Sequence, residues 1–211
     1  MRPPEVPRRR SRQGRPAARP PQPGDRRLYR AREREVTPVL RTARLALRGR
    51  TLADFPAVAA MQADGEVMRY IAGAPVPEED AWGKFARMEG LWSLTGMGFW
   101  LVEERATGAV IGEVGLADFK RAIDPPLGPD PEFGWMLAAS AQGKGYASEA
   151  LGAALDWGDR RFPGAKFPCI IDEANTRSVR LAERHGFRRE RKATYKGKEV
   201  IVFRRPAPLS A

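Results

Sequence analysis

Gln142-Gly143-Lys144-Gly145-Tyr146-Ala147 has the composition of an anion cradle. It stands between an apolar, aromatic run, Glu132 to Leu137, and a stretch with helical spacing. Ala147, Ala150, Leu151, Ala154, Leu155 and Gly158 recur on one face, while Ser148, Glu149, Asp156 and Asp159 fall off it. A strand, a small-residue turn and a helix start are therefore expected here. The first turn of a helix has backbone N–H groups without intrahelical partners, and the helix dipole adds partial positive charge. An anion fits there, a phosphate especially. Gly143 and Gly145 remove side chains that would block its approach, and Lys144 adds charge at the rim. The plain alternative is a strand-to-helix turn with glycine for geometry. A dinucleotide fingerprint fails because position 148 is Ser. A P-loop fails too, for want of an upstream glycine and of Ser or Thr after the lysine.

What remains, Q-x-x-G-x-A, resembles the acyl-coenzyme A signature of the GNAT N-acetyltransferase superfamily. Three further segments extend the resemblance to the RimJ/RimL-type branch. Glu132-Phe133-Gly134-Trp135 resembles its fourth strand, and Ile111-Gly112-Glu113-Val114-Gly115-Leu116 its third. Asn175-Thr176-Arg177-Ser178, followed by Glu183 and Gly186-Phe187, resembles its N-x-x-S…E-x-x-G-F segment. The motifs occur in the family's order and span about Val39 to Arg205.

The resemblance implies acetyl-CoA as acyl donor. It implies that backbone groups of Met136 and Leu137 hold the pantetheine, with Asn175 and Ser178 beside it. It implies that Gly143, Lys144, Gly145, Tyr146 and Ala147 hold the pyrophosphate, in a loop begun by Gln142. The reaction would be direct attack of a primary amine on the thioester, the amine belonging to a protein N-terminus or a small molecule. Lysine amines have pKa values near 10.4 and α-amines near 7.7–8.0, so a proton must be removed. Glu132 is the candidate base, through a water, with a pKa raised by burial; the alternative is a salt-bridged or solvent-facing residue. A thiolate leaving group has a pKa near 8.5 and needs little help. Ser178 and Tyr195 are the candidate general acids. Ser178 has the alternative of a first-turn residue bonding backbone.

Arg44 to Arg50 reads as a strand, and Asp54 as a cap for a helix carrying Leu52, Phe55, Val58, Ala59 and Gln62 on one face. Pro77-Glu78-Glu79-Asp80 opens a second helix with Trp82, Phe85, Met88 and Leu91. By resemblance this region forms the acceptor site, with Trp82, Trp92 and Trp100 as candidate lining. Phe99–Glu104 and Ala109–Leu116 read as a hairpin. Lys120 to Pro131, with four prolines, reads as a long rim loop. Phe167–Asp172 reads as a strand parallel to the one before it. Asn175 caps the next helix, Gly186 ends it, and Glu190–Phe203 forms a last hairpin turning at Lys196-Gly197-Lys198. The expected fold is α/β (α+β): one mixed, mostly antiparallel GNAT sheet, helices on both faces, and a splayed parallel strand pair for the cofactor.

The formal charge of +11 is unevenly placed. Residues 1–35 carry 12 Arg and 4 acidic side chains, a net of 12 − 4 = +8, which leaves 11 − 8 = +3 for the rest. Poor in large apolar residues, that segment reads as a disordered Arg/Pro-rich tail, residues 36–206 as the catalytic domain and 207–211 as a short C-terminal tail. Cys169 and His185 are single of their kind, so neither an internal disulfide nor a metal cluster is expected. Cys169 reads as a buried hydrophobe and His185 as a surface group at a helix C-terminus. No apolar run reaches membrane-spanning length, and a cytoplasmic monomer or homodimer is the expectation. Two competing functions remain: a non-catalytic acyl-CoA sensor, and nucleic-acid or ribosome contact through the tail. The last predicts steeply salt-dependent RNA binding that disappears when residues 1–35 are deleted, measurable by filter binding across a salt series.

Overall fold

A computed structural model describes residues 37–208. The tail expected over residues 1–35 lies outside the described residues, as do residues 209–211. The strands are β1 (Leu40–Arg41), β2 (Leu45–Arg48), β3 (Phe99–Glu104), β4 (Val110–Ala117), β5 (Ile123–Asp124), β6 (Glu132–Leu137), β7 (Pro168–Ile171), β8 (Arg188–Tyr195) and β9 (Lys198–Arg204). The α-helices are α1 (Phe55–Ala63), α2 (Gly65–Met68), α3 (Glu78–Thr95), α4 (Tyr146–Arg161) and α5 (Thr176–Arg184).

The strands form two antiparallel sheets, β1-β2-β3-β4-β6 and β5-β8-β9-β7. The single mixed sheet expected from sequence is thus divided between β6 and β7, which share no ladder. They remain neighbours: Phe133 on β6 meets the ring of Phe167, just before β7, at 4.9 Å. The division lies where the splayed pair was expected.

On one face of the first sheet, Trp100, Val102, Val114, Leu116 and Phe133 pack against Ala150, Leu151, Ala154 and Leu155 of α4. That is the helical stripe read from spacing. The opposite face carries Leu101 and Met136 against Val58, Met61 and Phe85. Close strand approach depends on glycine: a Cβ on Gly115 would lie 2.2 Å from the Gly98 carbonyl oxygen.

Several helix ends follow their local chemistry. Asn175 Oδ1 accepts from Ser178 N–H at 3.2 Å and caps α5. At the other end Gly186 takes φ +83°, with Gly186 N–H donating to Glu183 O and Phe187 N–H to Ala182 O, both at 3.0 Å. Phe187 is buried behind it. This is the double bond pattern of a left-handed glycine stop.

Asp54 does not cap α1 as expected; its side chain makes no cap bond. Its carboxylate instead accepts from Thr51 N–H (2.7 Å) and Oγ1 (2.8 Å) and from Arg48 Nη1 and Nη2 (2.9 and 2.8 Å). A bidentate guanidinium outcompetes a helix terminus. Leu52, placed on the buried face by spacing, belongs to the 3₁₀ turn Leu52–Asp54 and is 75% exposed. Trp92 and Trp100 do not line an acceptor pocket. They join Trp157 in the core, with ring centroids 4.7 to 5.6 Å apart.

The Arg48 pair pulls the Asp54 carboxyl down to about 2 from its ordinary 3.8. A depressed folded-state pKa stabilises above the unfolded value and is lost as pH falls through the folded one. Wild type should therefore lose about 2 kcal/mol through this group between pH 4 and pH 2, a loss missing from Asp54→Asn. Urea unfolding of both proteins at pH 5 and pH 2.5 measures the difference; parallel losses would show that the pair contributes nothing.

Candidate acyl-transfer site

The loop before α4 has the expected conformation. Gly143 and Gly145 take φ of +77° and +81°, the left-handed region that glycine enters without strain. Gly145 is the N-cap and brings no side chain to the helix end. From Gly143 to Ser148, no backbone N–H has a backbone partner among the described residues. A row of free donors at a helix start is a feature able to hold an anion.

The loop is held from outside. Arg44 Nη1 donates to Lys144 O at 2.9 Å, and its Nε donates to Glu149 Oε2 at 2.7 Å. Its guanidinium lies 4.5 Å from the Tyr146 ring centroid, and the Tyr146 hydroxyl donates to Glu104. The first turn of α4 is thereby fastened to Arg44, just before β2, and to β3.

From this loop the free edge of β6 runs inward. Ala138 N–H donates to Ile111 O (2.9 Å), and β6 pairs β4 in the register Met136↔Glu113 and Leu137↔Gly112. Antiparallel alternation then turns the N–H and C=O of Met136 toward β4, and those of Trp135 and Leu137 away from it. Of the two residues implied to hold pantetheine by backbone, Leu137 lies on the free edge and Met136 does not. Trp135 takes its place. The Met136 side chain packs against the helical layer.

The other predicted residues fall into two groups. Near the loop, Gln142 Nε2 donates to Leu137 O (3.2 Å), and Gln142 Oε1 accepts from Arg177 Nη1 (2.7 Å). Ser178 Oγ accepts from Trp135 Nε1 at 3.3 Å. Gln142, Leu137, Asn175 and Ser178 thus assemble along one edge, joined by Trp135 and Arg177, to which sequence reasoning gave no role. At the far end of β6, about 17 Å along a strand at 3.3 Å per residue, sits Glu132.

Glu132 is buried, and both its carboxylate oxygens accept from Arg121, one through Nη2 at 2.8 Å and the other through Nε. Arg121 Nη1 also donates to the Tyr195 hydroxyl at 2.9 Å. The guanidinium lies between the rings of Phe119 (4.6 Å) and Tyr195 (4.9 Å). Glu132 and Tyr195 are therefore brought together, but through a cation in the segment read as a rim loop. That segment also contains β5, paired to β8. Burial pushes the Glu132 carboxyl up, with Arg121 opposing. Its geometry is that of the salt-bridged alternative. Phe119 and Tyr195, which flank the guanidinium, are far apart in the chain, so no local pattern marked Arg121.

His185 is not a free surface group: its Nε2 lies 2.8 Å from Ser148 Oγ, joining α5 to the first turn of α4. Desolvation there, reinforced by Arg184 and Arg205, lowers its pKa. Cys169 is buried, and burial raises its thiol pKa well above the ordinary value, which suits an inert core residue. Among the described residues no group of three His, Cys, Asp or Glu is placed to hold a metal.

Among the described residues, the β6 edge thus has no ladder partner on its outer side and leads to a row of N–H groups without backbone partners at a helix start. Residues 44–188 match the acetyltransferase (GNAT) domain, and the chain belongs to that family. A GNAT-family protein from Bordetella pertussis is 31% identical, with a TM-score of 0.70 over 80% of this chain and 99% of that one. An acetyltransferase from Agrobacterium tumefaciens is 32% identical, with a TM-score of 0.68 over 79% and 93%. The RimL ribosomal α-N-protein acetyltransferase, solved with coenzyme A, has the same fold at 17% identity (TM-score 0.66, covering 80% and 98%). YkkB of Bacillus subtilis is 30% identical over 110 residues, 52% of this chain and 62% of its own length.

Removing Arg121 leaves Glu132 buried without its partner. Arg121→Leu should cost about 3 kcal/mol at pH 8. The raised Glu132 carboxyl takes up a proton as pH falls, so the deficit should shrink toward pH 5. Adding Glu132→Met should restore much of the loss. Chemical denaturation of the three proteins checks this, and a strictly additive double variant would rule out the coupling.

Proposed function

We propose that the protein is an acetyl-CoA-dependent N-acetyltransferase acting on a primary amine, with a protein or peptide α-amine as the preferred acceptor. The observation that carries the reading is the free β6 edge at Trp135 and Leu137, leading into the N–H groups of Gly143 to Ser148. The donors fit a pyrophosphate and the edge fits the amides of a pantetheine arm. Gly143, Lys144, Gly145, Tyr146 and Ala147 would hold the first. Trp135 and Leu137, with Asn175 at the side, would hold the second.

Acetyl-CoA supplies an activated thioester carbonyl. The chain's own residues place the amine, take its proton and return one to sulfur as the C–N bond forms and the C–S bond breaks. Glu132, acting through a water, is the proposed proton acceptor. Arg121 opposes the rise that burial gives the Glu132 carboxyl, so the base stays weaker than burial alone would make it. An α-amine near pKa 7.7–8.0 asks less of it than a lysine near 10.4. This argument, together with the α-N-protein activity named for RimL, favours an α-amine. Ser178 Oγ accepts from Trp135 and so keeps its own proton to donate at the free edge. Tyr195, bonded to Arg121, is the proposed donor at the Glu132 end.

The Arg121–Glu132 pair also favours a second reading, an acyl-CoA sensor without turnover. One experiment separates the two. CoA and acetyl-CoA at 100 times Kd should each stabilise the fold by about 2.7 kcal/mol, a rise of roughly 5–10 °C in Tm. A panel of N-terminal peptides should then release free thiol. Glu132→Gln should lower kcat and flatten the acidic limb of the pH profile, and Ser178→Ala should lower kcat more than Tyr195→Phe does. Stabilisation without thiol release from any amine would establish the sensor, and no stabilisation at millimolar CoA would remove both.

A further inference from the structure

The helical face of the first sheet carries a second feature, away from the free edge of β6. A groove of about 470 Å³ runs between the 3₁₀ turn and α3, lined by Arg50, Leu52, Trp82, Phe85 and Glu89. The Arg50 side chain is only 1% exposed. Its Nη2 donates to Glu113 Oε1 at 2.6 Å. Its Nε and Nη1 are buried and have no partner among the described residues. A guanidinium has five N–H donors in a fixed fork, and buried donors left unmade are costly. Nothing in the Arg121 network or the nest before α4 engages these atoms.

The walls are apolar and aromatic. Trp82 stacks on Phe85 at 6.1 Å, Phe55 meets Trp82 edge-on at 5.0 Å, and the Arg50 guanidinium lies 5.4 Å from the Phe85 ring. The rim is open: Trp82 is 46% exposed and Leu52 75% exposed. Large apolar side chains left in water beside buried donors suit a ligand with an apolar body and an oxygen acceptor.

Charge selects the acceptor. The Arg50 cation is already matched by Glu113, and the Glu89 carboxylate stands in the groove. Asp54 is matched by Arg48, and Lys84 adds a positive charge near Glu113. With no surplus positive charge, a full anion gains little, while a neutral carbonyl gains the unused N–H groups at no electrostatic cost.

We propose that this groove is a binding site for an apolar or aromatic group that carries a neutral carboxamide. Its carbonyl oxygen accepts from Arg50 Nε and Nη1, and its body lies between Trp82 and Leu52. Both donors are buried, so binding requires the exposed Leu52 and Trp82 side chains to turn aside. The chemistry is shared by a peptide segment and by a free aromatic amide. The site stands without the acetyl-transfer reading, because it is tested without cofactor.

The test titrates the full chain with N-acetylphenylalaninamide, with benzamide, and with the carboxylate N-acetylphenylalanine, following tryptophan fluorescence and indole N–H resonances. The expected result is saturable binding of the amides, with the Trp82 signal shifted. Trp82→Ala, at a half-exposed position, should stay folded with a modestly lowered melting temperature, as two aromatic contacts are lost, and should lose binding. Arg50→Lys should bind about fivefold more weakly, as for one lost hydrogen bond. Tighter binding of N-acetylphenylalaninamide than of benzamide supports the peptide source, and the reverse supports a free amide. The proposal is overturned by no saturation up to about 50 mM, by preference for the carboxylate, or by undiminished binding in Trp82→Ala. If Arg50→Lys does not fold, Trp82→Ala and the carboxylate comparison still decide.

Discussion

The interruption between β6 and β7 is the constraint on which the rest of this structure depends. A strand edge has unpaired N–H and C=O groups, and leaving them unmade inside a protein is unfavourable. Here Trp135 and Leu137 turn such groups toward a neighbour that forms no ladder with them. Side chains answer part of the demand: the Gln142 amide reaches Leu137 O, and Arg177 fixes the amide from the other side. Those bonds answer only the Leu137 carbonyl and leave the Trp135 groups without a ladder partner. An edge that paired fully would leave a stable sheet and no site.

Two sheets that do not pair need other ties, and the ties lie at the two ends of the gap. At one end, Arg121 clamps Glu132 of the first sheet and holds Tyr195 of the second. At the other, α4 and α5 meet through Ser148 and His185. Between them the aromatic rings of Phe133, Phe167 and Phe187 fill the space beneath the opening. The cation is a costly device, since burial penalises both partners of an ion pair. Its merit is geometric: a planar fork fixes two strands that share no backbone bond. In this arrangement the carboxylate on β6 is a structural tie between the two sheets.

Much of this was legible in the sequence because it is set locally. The two glycines before α4, the Asn175 cap, the Gly186-Phe187 stop and the last hairpin at Lys196-Gly197 each rest on a conformational rule spanning a few residues. Spacing also gave the α4 face that packs on the sheet. What spacing did not give is set by partners distant in the chain. Asp54 looked like a helix cap until Arg48 claimed it. Trp92 and Trp100 looked like pocket lining, yet they complete a tryptophan cluster whose third member lies on α4. Met136 and Leu137 look equivalent in sequence; only the register with β4 shows which of them reaches the free edge. Arg121 sits in a proline-rich segment with no periodicity, and its importance arises from Glu132 and Tyr195 meeting around it.

The nest before α4 gains its value from being held rather than from its composition alone. Glycine-rich loops are mobile by default, because glycine loses more conformational freedom on ordering than any other residue. A mobile loop would have to be ordered on binding, which weakens affinity. Here Arg44 holds the Lys144 carbonyl and the Glu149 carboxylate, and it lies over Tyr146, whose hydroxyl reaches Glu104. The carbonyl and the side chains are thereby drawn to the outside of the loop. The N–H groups of Gly143 to Ser148 are left without backbone partners among the described residues, and the contacts of Arg44 and Tyr146 already hold the loop in the folded chain. Arg44 also brings positive charge next to the nest, although its pairing with Glu149 cancels most of it. Under the proposed reading, attraction of a phosphate would come mainly from the N–H dipoles and the start of α4. Those act at short range and discriminate by shape, whereas a loose cluster of lysines would attract any anion.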